Sequence, residues 1–228
     1  MTAKIFLHHQ RCGGSTLRRA YHAHGLPYRK NDIIERINEF EPIRNERIKI
    51  IEVEPGIYLD ELEDKHEFFT ILRDPVERAL SLLELRTRPE GGHKIDQLTK
   101  PQFWVDIVEK LVNDKSHFSN AYTKSIAGKL EVLYEDKIDL AFDRLRNMPI
   151  LIFNKETYAK DLIIFGIMIG VGENLYPIGH EIPGDETFRN NVPNWVIDFL
   201  ITLNKYDYKI YNELTTLCDE NNIYMKGN

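Results

Sequence analysis

Apolar residues fall along this chain in two rhythms. Short, nearly continuous runs at Met1–His9, Ile48–Val53, Glu67–Arg73 and Pro149–Phe153 predict strands, with the last of them the final strand of the chain. The first run is almost wholly apolar from Ile5, as a strand covered on both faces should be. Elsewhere the apolar positions recur at helical spacing. Leu17, Ala20 and Tyr21 predict a helix to about His24, stopped by Gly25-Leu26-Pro27. Ile33, Ile34, Ile37 and Phe40 share one side of a second helix over Asn31–Phe40. Further helices are predicted from Pro75 to the break at Pro89, then over Pro101–Val112, Leu140–Arg146, Glu156–Gly166, Pro193–Leu203 and Asp207–Leu217. Trp104, Ile107, Val108 and Leu111 make the apolar stripe of the Pro101–Val112 helix and read as core. Val171–Asn191, carrying Pro177, Gly179, Pro183 and Gly184, reads as irregular. So long a loop is commonly functional or mobile.

Strands alternating with helices predict an α/β fold, and 228 residues suit one domain over 1–228 with a full hydrophobic core. Apolar residues at 42% and charged residues at 29% are ordinary for a soluble globular chain. The net charge of −6 argues against nucleic acid as a partner. Cys12 and Cys218 lie far apart in sequence, which fits a reducing, cytoplasmic setting better than a disulfide scaffold. No leader-like segment is expected at the N-terminus, and no apolar run is long enough to span a membrane. Leu162–Val171, the most apolar stretch, reads as a buried helix end.

Two places carry candidate chemistry. In Ile5–Leu17 the first strand runs through a short polar turn into a helix. The free N–H groups and positive dipole end of that helix converge on whatever anion the turn holds. Gly13 and Gly14 let the backbone close around a phosphate, Arg11 adds a permanent charge with forked donors, and Ser15 and Thr16 add hydroxyls. This is no nucleoside-triphosphatase loop, because no lysine follows Gly14. Further along, Asp74-Pro75-Val76-Glu77 is a well-specified helix start, with Asp74 as N-cap, Pro75 at the first helical position and Glu77 reaching back as in a capping box. That cap requires neither Arg73, which ends the preceding strand, nor Ser81, which falls on the Asp74–Arg78 face of the helix.

The turn from Gln10 to Thr16 resembles the PKTGGTT-type loop of sulfotransferases that use 3′-phosphoadenosine 5′-phosphosulfate (PAPS), with Arg11 in place of the family's lysine. FTILRDPVERALSLLEL resembles the same family's 3′-phosphate motif, and Arg73 and Ser81 stand at its arginine and serine. Asn120–Gly128 is similar to a segment that closes over the nucleotide, with Lys124 where the family has arginine. The run Leu203–Leu214 resembles the ending of carbohydrate-type sulfotransferases such as the heparan sulfate 2-O type. The resemblance implies a three-layer α/β fold with a central, mostly parallel sheet, a P-loop-like strand–loop–helix, flanking helices and a helical C-terminal part. It implies PAPS as co-substrate, no metal, and a small-molecule or carbohydrate acceptor. Arg11, Cys12, Gly13, Gly14, Ser15, Thr16, Arg73, Ser81 and Lys124 would hold the donor, with Arg11 stabilising the leaving group.

Ile51–Leu62 looks like the family stretch that carries a catalytic histidine, and Glu52 stands at that position. Alternation along the second strand puts Glu52 and Glu54 on one face near its exit, where ligands of open α/β sheets bind. Glu52 is therefore the expected general base with Glu54 as fallback and His93 third; two solvated acids at a strand tip is the competing reading. A small-molecule kinase and a non-catalytic nucleotide-binding relative are the alternative functions.

Overall fold

The computed structural model describes residues 4–23, 28–30, 50–53, 67–89, 92–113, 118–127, 135–170 and 186–225. Burial without alternation decides the architecture. Ile5, Phe6 and Leu7 are all buried, as are Phe69 to Leu72 and Ile150 to Ile152. Successive strand side chains point to opposite faces, so both faces of these strands are covered, which is the situation of a parallel sheet between helical layers. Six strands form one sheet among the described residues: β1 (Lys4–Leu7), β2 (Tyr28–Lys30), β3 (Ile50–Val53), β4 (Glu67–Leu72), β5 (Ile150–Ile152) and β6 (Ile223–Tyr224). Their order is β2-β3-β1-β4-β5-β6. Every neighbouring pair is parallel except β5–β6. The fold is α/β with a central, mostly parallel sheet, as the resemblance implied.

The helices are α1 (Gly14–Ala23), α2 (Pro75–Thr87), α3 (Ile95–Leu98), α4 (Pro101–Asn113), α5 (Ala121–Ala127), α6 (Glu135–Arg146), α7 (Tyr158–Met168), α8 (Glu186–Asn190), α9 (Asn194–Leu203) and α10 (Lys205–Thr215). They share two apolar clusters. One joins the sheet to Leu17 of α1, Ile126 of α5, Ala141 and Leu145 of α6, Leu162 and Phe165 of α7, and Ile210 of α10. The other is made between helices, where Trp104, Ile107 and Leu111 of α4 meet Leu80 and Leu83 of α2, Phe188 of α8 and Leu200 of α9. The predicted stripe of α4 is core, but its partners are helices rather than the sheet.

Four expectations need correction. The Pro149–Phe153 run is not the last strand, because Ile223–Tyr224 adds an antiparallel edge to β5. Tyr28–Lys30, between the two predicted helices where no strand was expected, is a strand on the opposite edge, beside β3. Glu186–Asn190 is helical although it falls in the stretch read as irregular. Glu77 does not close a capping box. Asp74 Oδ1 accepts from both the Val76 and Glu77 N–H groups at 2.9 Å, and the Glu77 carboxylate turns outward to arginines instead. The predicted helix Asn31–Phe40 and residues 171–185 lie outside the described residues.

The C-terminal helices are tied to α5 by a reciprocal cap. Asn120 sits at φ +46°, a left-handed conformation that asparagine tolerates better than most side chains. Its Oδ1 accepts from the N–H groups of Tyr206 (3.0 Å) and Asp207 (3.2 Å), while its own N–H donates to Asn204 Oδ1 (3.0 Å). The Asp207 carboxylate accepts from the Tyr122 and Thr123 N–H groups at 3.0 and 2.9 Å and from the Thr123 hydroxyl at 2.8 Å. Thus α5 and α10 each satisfy the open donors at the other's start. Burial pushes the Asp207 carboxyl up, opposed by the Arg78 charge and by these donors. Asp207→Ala strands three buried donors together, and each such loss costs about 1–3 kcal/mol. A fall in melting temperature on the order of 10 °C in a calorimetric scan is expected; a variant melting with the wild type would remove the clasp from the account.

Candidate functional site

The site grows from the exits of two neighbouring parallel strands. β1 pairs with β4 through Leu7↔Thr70, so the turn after β1 and the residues after Leu72 leave the sheet side by side. The turn is tightly specified. Gly13 stands at φ +88°, and a methyl on it would lie 2.6 Å from the Tyr158 hydroxyl oxygen. That hydroxyl donates to the Gly13 carbonyl at 3.0 Å. The same carbonyl accepts from the Thr16 and Leu17 N–H groups and so starts α1. At Gly14 a methyl would lie 2.3 Å from the His8 ring. Arg11 itself sits at φ +68°, a conformation that costs a residue with a side chain about 1–2 kcal/mol.

Cys12 is fully buried, with its Sγ 3.2 Å from the Tyr122 hydroxyl. That hydroxyl donates to the Arg73 carbonyl at 2.8 Å and accepts from the Arg73 N–H at 3.2 Å. Tyr122 therefore pins the turn to the exit of β4. Any contact of Cys12 with a ligand is left to its backbone, and burial pushes its thiol up, away from reactivity.

Arg11 and Ser81, expected at different ends of one ligand, touch: Arg11 Nε donates to Ser81 Oγ at 2.9 Å. Arg73 donates through Nη1 to the Arg11 carbonyl at 3.4 Å and through Nη2 to Glu77 at 3.1 Å, with its guanidinium 5.1 Å from the centre of the Phe153 ring. A third guanidinium, Arg189 of α8, pairs with Glu77 and lies 3.7 Å from Glu84. Burial lowers the pKa of Arg11, Glu84 opposes that, and the charges of Arg73 and Arg189 add to the lowering. Three arginines from separate segments thus share one neighbourhood along the α2 row Glu77–Ser81–Glu84, whose members lie on one helix face.

Arg189 escaped sequence reasoning because it belongs to the stretch read as irregular and to no recognised motif. The one available signal was a lone cation flanked by Phe188 in an otherwise polar run.

The remaining expected residues spread out. Ser15 is exposed, while Thr16 and Lys124, the latter on α5, are half-buried. Glu52 lies in β3, one residue before its end and in register with Phe6. Glu54 lies outside the described residues. His93 is a packing residue: it is buried against Phe188, with Nε2 3.0 Å from the Thr87 hydroxyl. His9 is buried edge-on to Tyr122, with Nδ1 3.4 Å from Ser125 Oγ. Burial first, then the charges of Arg78 and His8, bring its pKa down to about 3. Among the described residues no group of three His, Cys, Asp or Glu side chains could hold a metal, and no helix is long and apolar enough to cross a membrane.

Fold and site together define an α/β protein with an arginine-rich cluster at the exits of adjacent parallel strands. No family model matches the sequence, and no curated protein matches it. Among solved structures, a sulfotransferase from Alicyclobacillus acidocaldarius is similar over 92% of this chain and 99% of that one, at 16% identity and a TM-score of 0.45.

The depressed His9 pKa has a signed consequence. The unfolded chain takes up a proton near the ordinary imidazole value of 6.5, and the folded chain does so only near 3. His9 therefore leaves stability untouched above about pH 7 and lowers it by about 1.4 kcal/mol per pH unit between those values. Urea titrations of wild type and His9→Gln across that window should diverge progressively as the pH falls. Parallel curves would show that His9 protonates freely in the fold.

Proposed function

We propose that this chain transfers a sulfuryl group from PAPS to a hydroxyl of a sugar or sugar-bearing small molecule. The observation that carries the reading is the contact of Arg11 with Ser81, with Arg73 bonded to the Arg11 carbonyl. Residues 70 positions apart, each resembling half of a PAPS site, meet at one place. The residues also fit a doubly phosphorylated nucleotide in charge. Arg11, Arg73 and Arg189 outnumber the carboxylates Glu77 and Glu84 beside them, so the cluster can take up an anion.

In this reading the first-turn N–H groups of α1 hold the 5′-phosphosulfate, and Arg73 with Ser81 holds the 3′-phosphate. The acceptor oxygen bonds to sulfur as the bond from sulfur to the bridging oxygen breaks. The electron pair stays on that oxygen, now part of the 5′-phosphate, while the acceptor proton passes to a base. Arg11, permanently charged, stabilises the departing oxygen without giving up a proton. Positioning and electrostatics supply most of the rate, as in phosphoryl transfer.

Thermal-shift measurements with 3′-phosphoadenosine 5′-phosphate (PAP), ATP and AMP test the reading. A ligand at a hundred times its dissociation constant adds about 2.7 kcal/mol, a shift on the order of 5–10 °C for a chain of this size. That shift is expected for PAP alone and is expected to vanish in Arg73→Ala and Ser81→Ala. An equal, magnesium-dependent shift with ATP would support a kinase instead, and PAP binding without transfer to any acceptor would support a binding module.

A further inference from the structure

The two histidines that leave β1 go separate ways. His9 turns toward α5, where its ring meets Tyr122 edge-on at 4.7 Å and is buried. His8 stacks on Phe6, with ring centres 5.4 Å apart at 25°, and abuts the first residue of α1. A side chain on Gly14 would begin 2.3 Å from both Cδ2 and Nε2 of His8. The first bond of a helical side chain tilts toward the helix N-terminus. The Nε2 edge of His8 therefore borders the mouth of α1, where first-turn N–H groups gather for an anion. His8 is half-buried, so solvent reaches part of it.

We infer that His8 is the general base of the transfer, an assignment that rests on the sulfuryl-transfer reading. Imidazole is the side chain suited to taking a proton near neutral pH. As the acceptor oxygen bonds to sulfur, Nε2 takes that oxygen's proton, and the bond from sulfur to the bridging oxygen breaks toward the 5′-phosphate. The cation for the departing oxygen and the base for the incoming one then reach the turn from different sides. Arg11 lies against Ser81 of α2, and His8 lies against Phe6 and Gly14. Glu52, the base expected from sequence, stands in register with Phe6, two residues short of His8 along β1. The close fit at Gly14 also explains why the second glycine of the turn has no side chain: even a methyl would expel the His8 ring.

The test follows turnover of PAPS to PAP, with water and a panel of simple sugars as acceptors, in wild type, His8→Ala and His8→Gln. PAP affinity is measured calorimetrically in each. Losing a general base costs about 10²-fold or more, so both variants should lose that much in kcat while binding PAP as the wild type does. Added imidazole should restore part of the His8→Ala rate. His8→Gln keeps a polar edge against Gly14, so it separates loss of the base from loss of packing. Variants as fast as wild type would overturn the assignment, and so would variants in which rate and PAP affinity fall together without rescue. Wild type that binds PAP but transfers to no acceptor would overturn it and favour a binding module. Wild type that does not bind PAP would remove the sulfuryl-transfer reading along with it.

Discussion

Direct parallel pairing of β1 with β4 constrains everything at this site. Parallel neighbours point their C-terminal ends the same way, so segments far apart in sequence must emerge together. Here the segments are the turn that carries Arg11 and Gly13 and the β4 exit that carries Arg73, paired from Lys4↔Glu67 to Leu7↔Thr70. A crossover through β2 and β3 separates the two strands in sequence, yet the sheet makes them adjacent. The Tyr122 hydroxyl then holds the two exits in place through Cys12 and the backbone of Arg73. Each such bond contributes about 1 kcal/mol, so their value lies more in fixing distance than in stability.

Helix α2 turns that adjacency into an electrostatic device. Asp74 caps its first turn, and the next turns present Glu77, Ser81 and Glu84 along one row. Arginines from the β1 turn, the β4 exit and α8 lie against that row. Left alone, guanidinium groups at this depth would repel one another; the two carboxylates hold them poised. Arg73 and Arg189 share Glu77, and Arg189 also reaches Glu84, so an incoming dianion competes with these two carboxylates for the cations. Charge-assisted bonds of this kind are the strong ones, and forked donors suit phosphate better than a point charge.

Much of this was legible from local sequence. The strand–turn–helix of Ile5–Leu17 and the Asp74 cap depend on residues within a turn or two of one another, and pattern reading reaches them. Edge strands of two or three residues do not reveal themselves that way. Tyr28–Lys30 and Ile223–Tyr224 are too short for periodicity and exist because a neighbouring strand offers an open edge. Glu77 looked like half of a capping box, but its carboxylate pairs with Arg73 and Arg189 instead of reaching back to the Asp74 N–H. Arg189 stands 112 positions away. No local pattern signals such a pair. Likewise His8 and His9 are indistinguishable as letters, and only the packing of Tyr122 and Gly14 sends them to opposite sides.

The central claim is that the turn before α1 and the arginine row along α2 together engage the two ends of a single bisphosphate. Phosphorus NMR of PAP during titration with the protein tests it directly, because the 3′- and 5′-phosphates give separate signals. Both resonances should move together and saturate at the same protein concentration, and both should lose their shift in Arg73→Ala. Movement of only one resonance, or saturation of the two at different concentrations, would contradict the account.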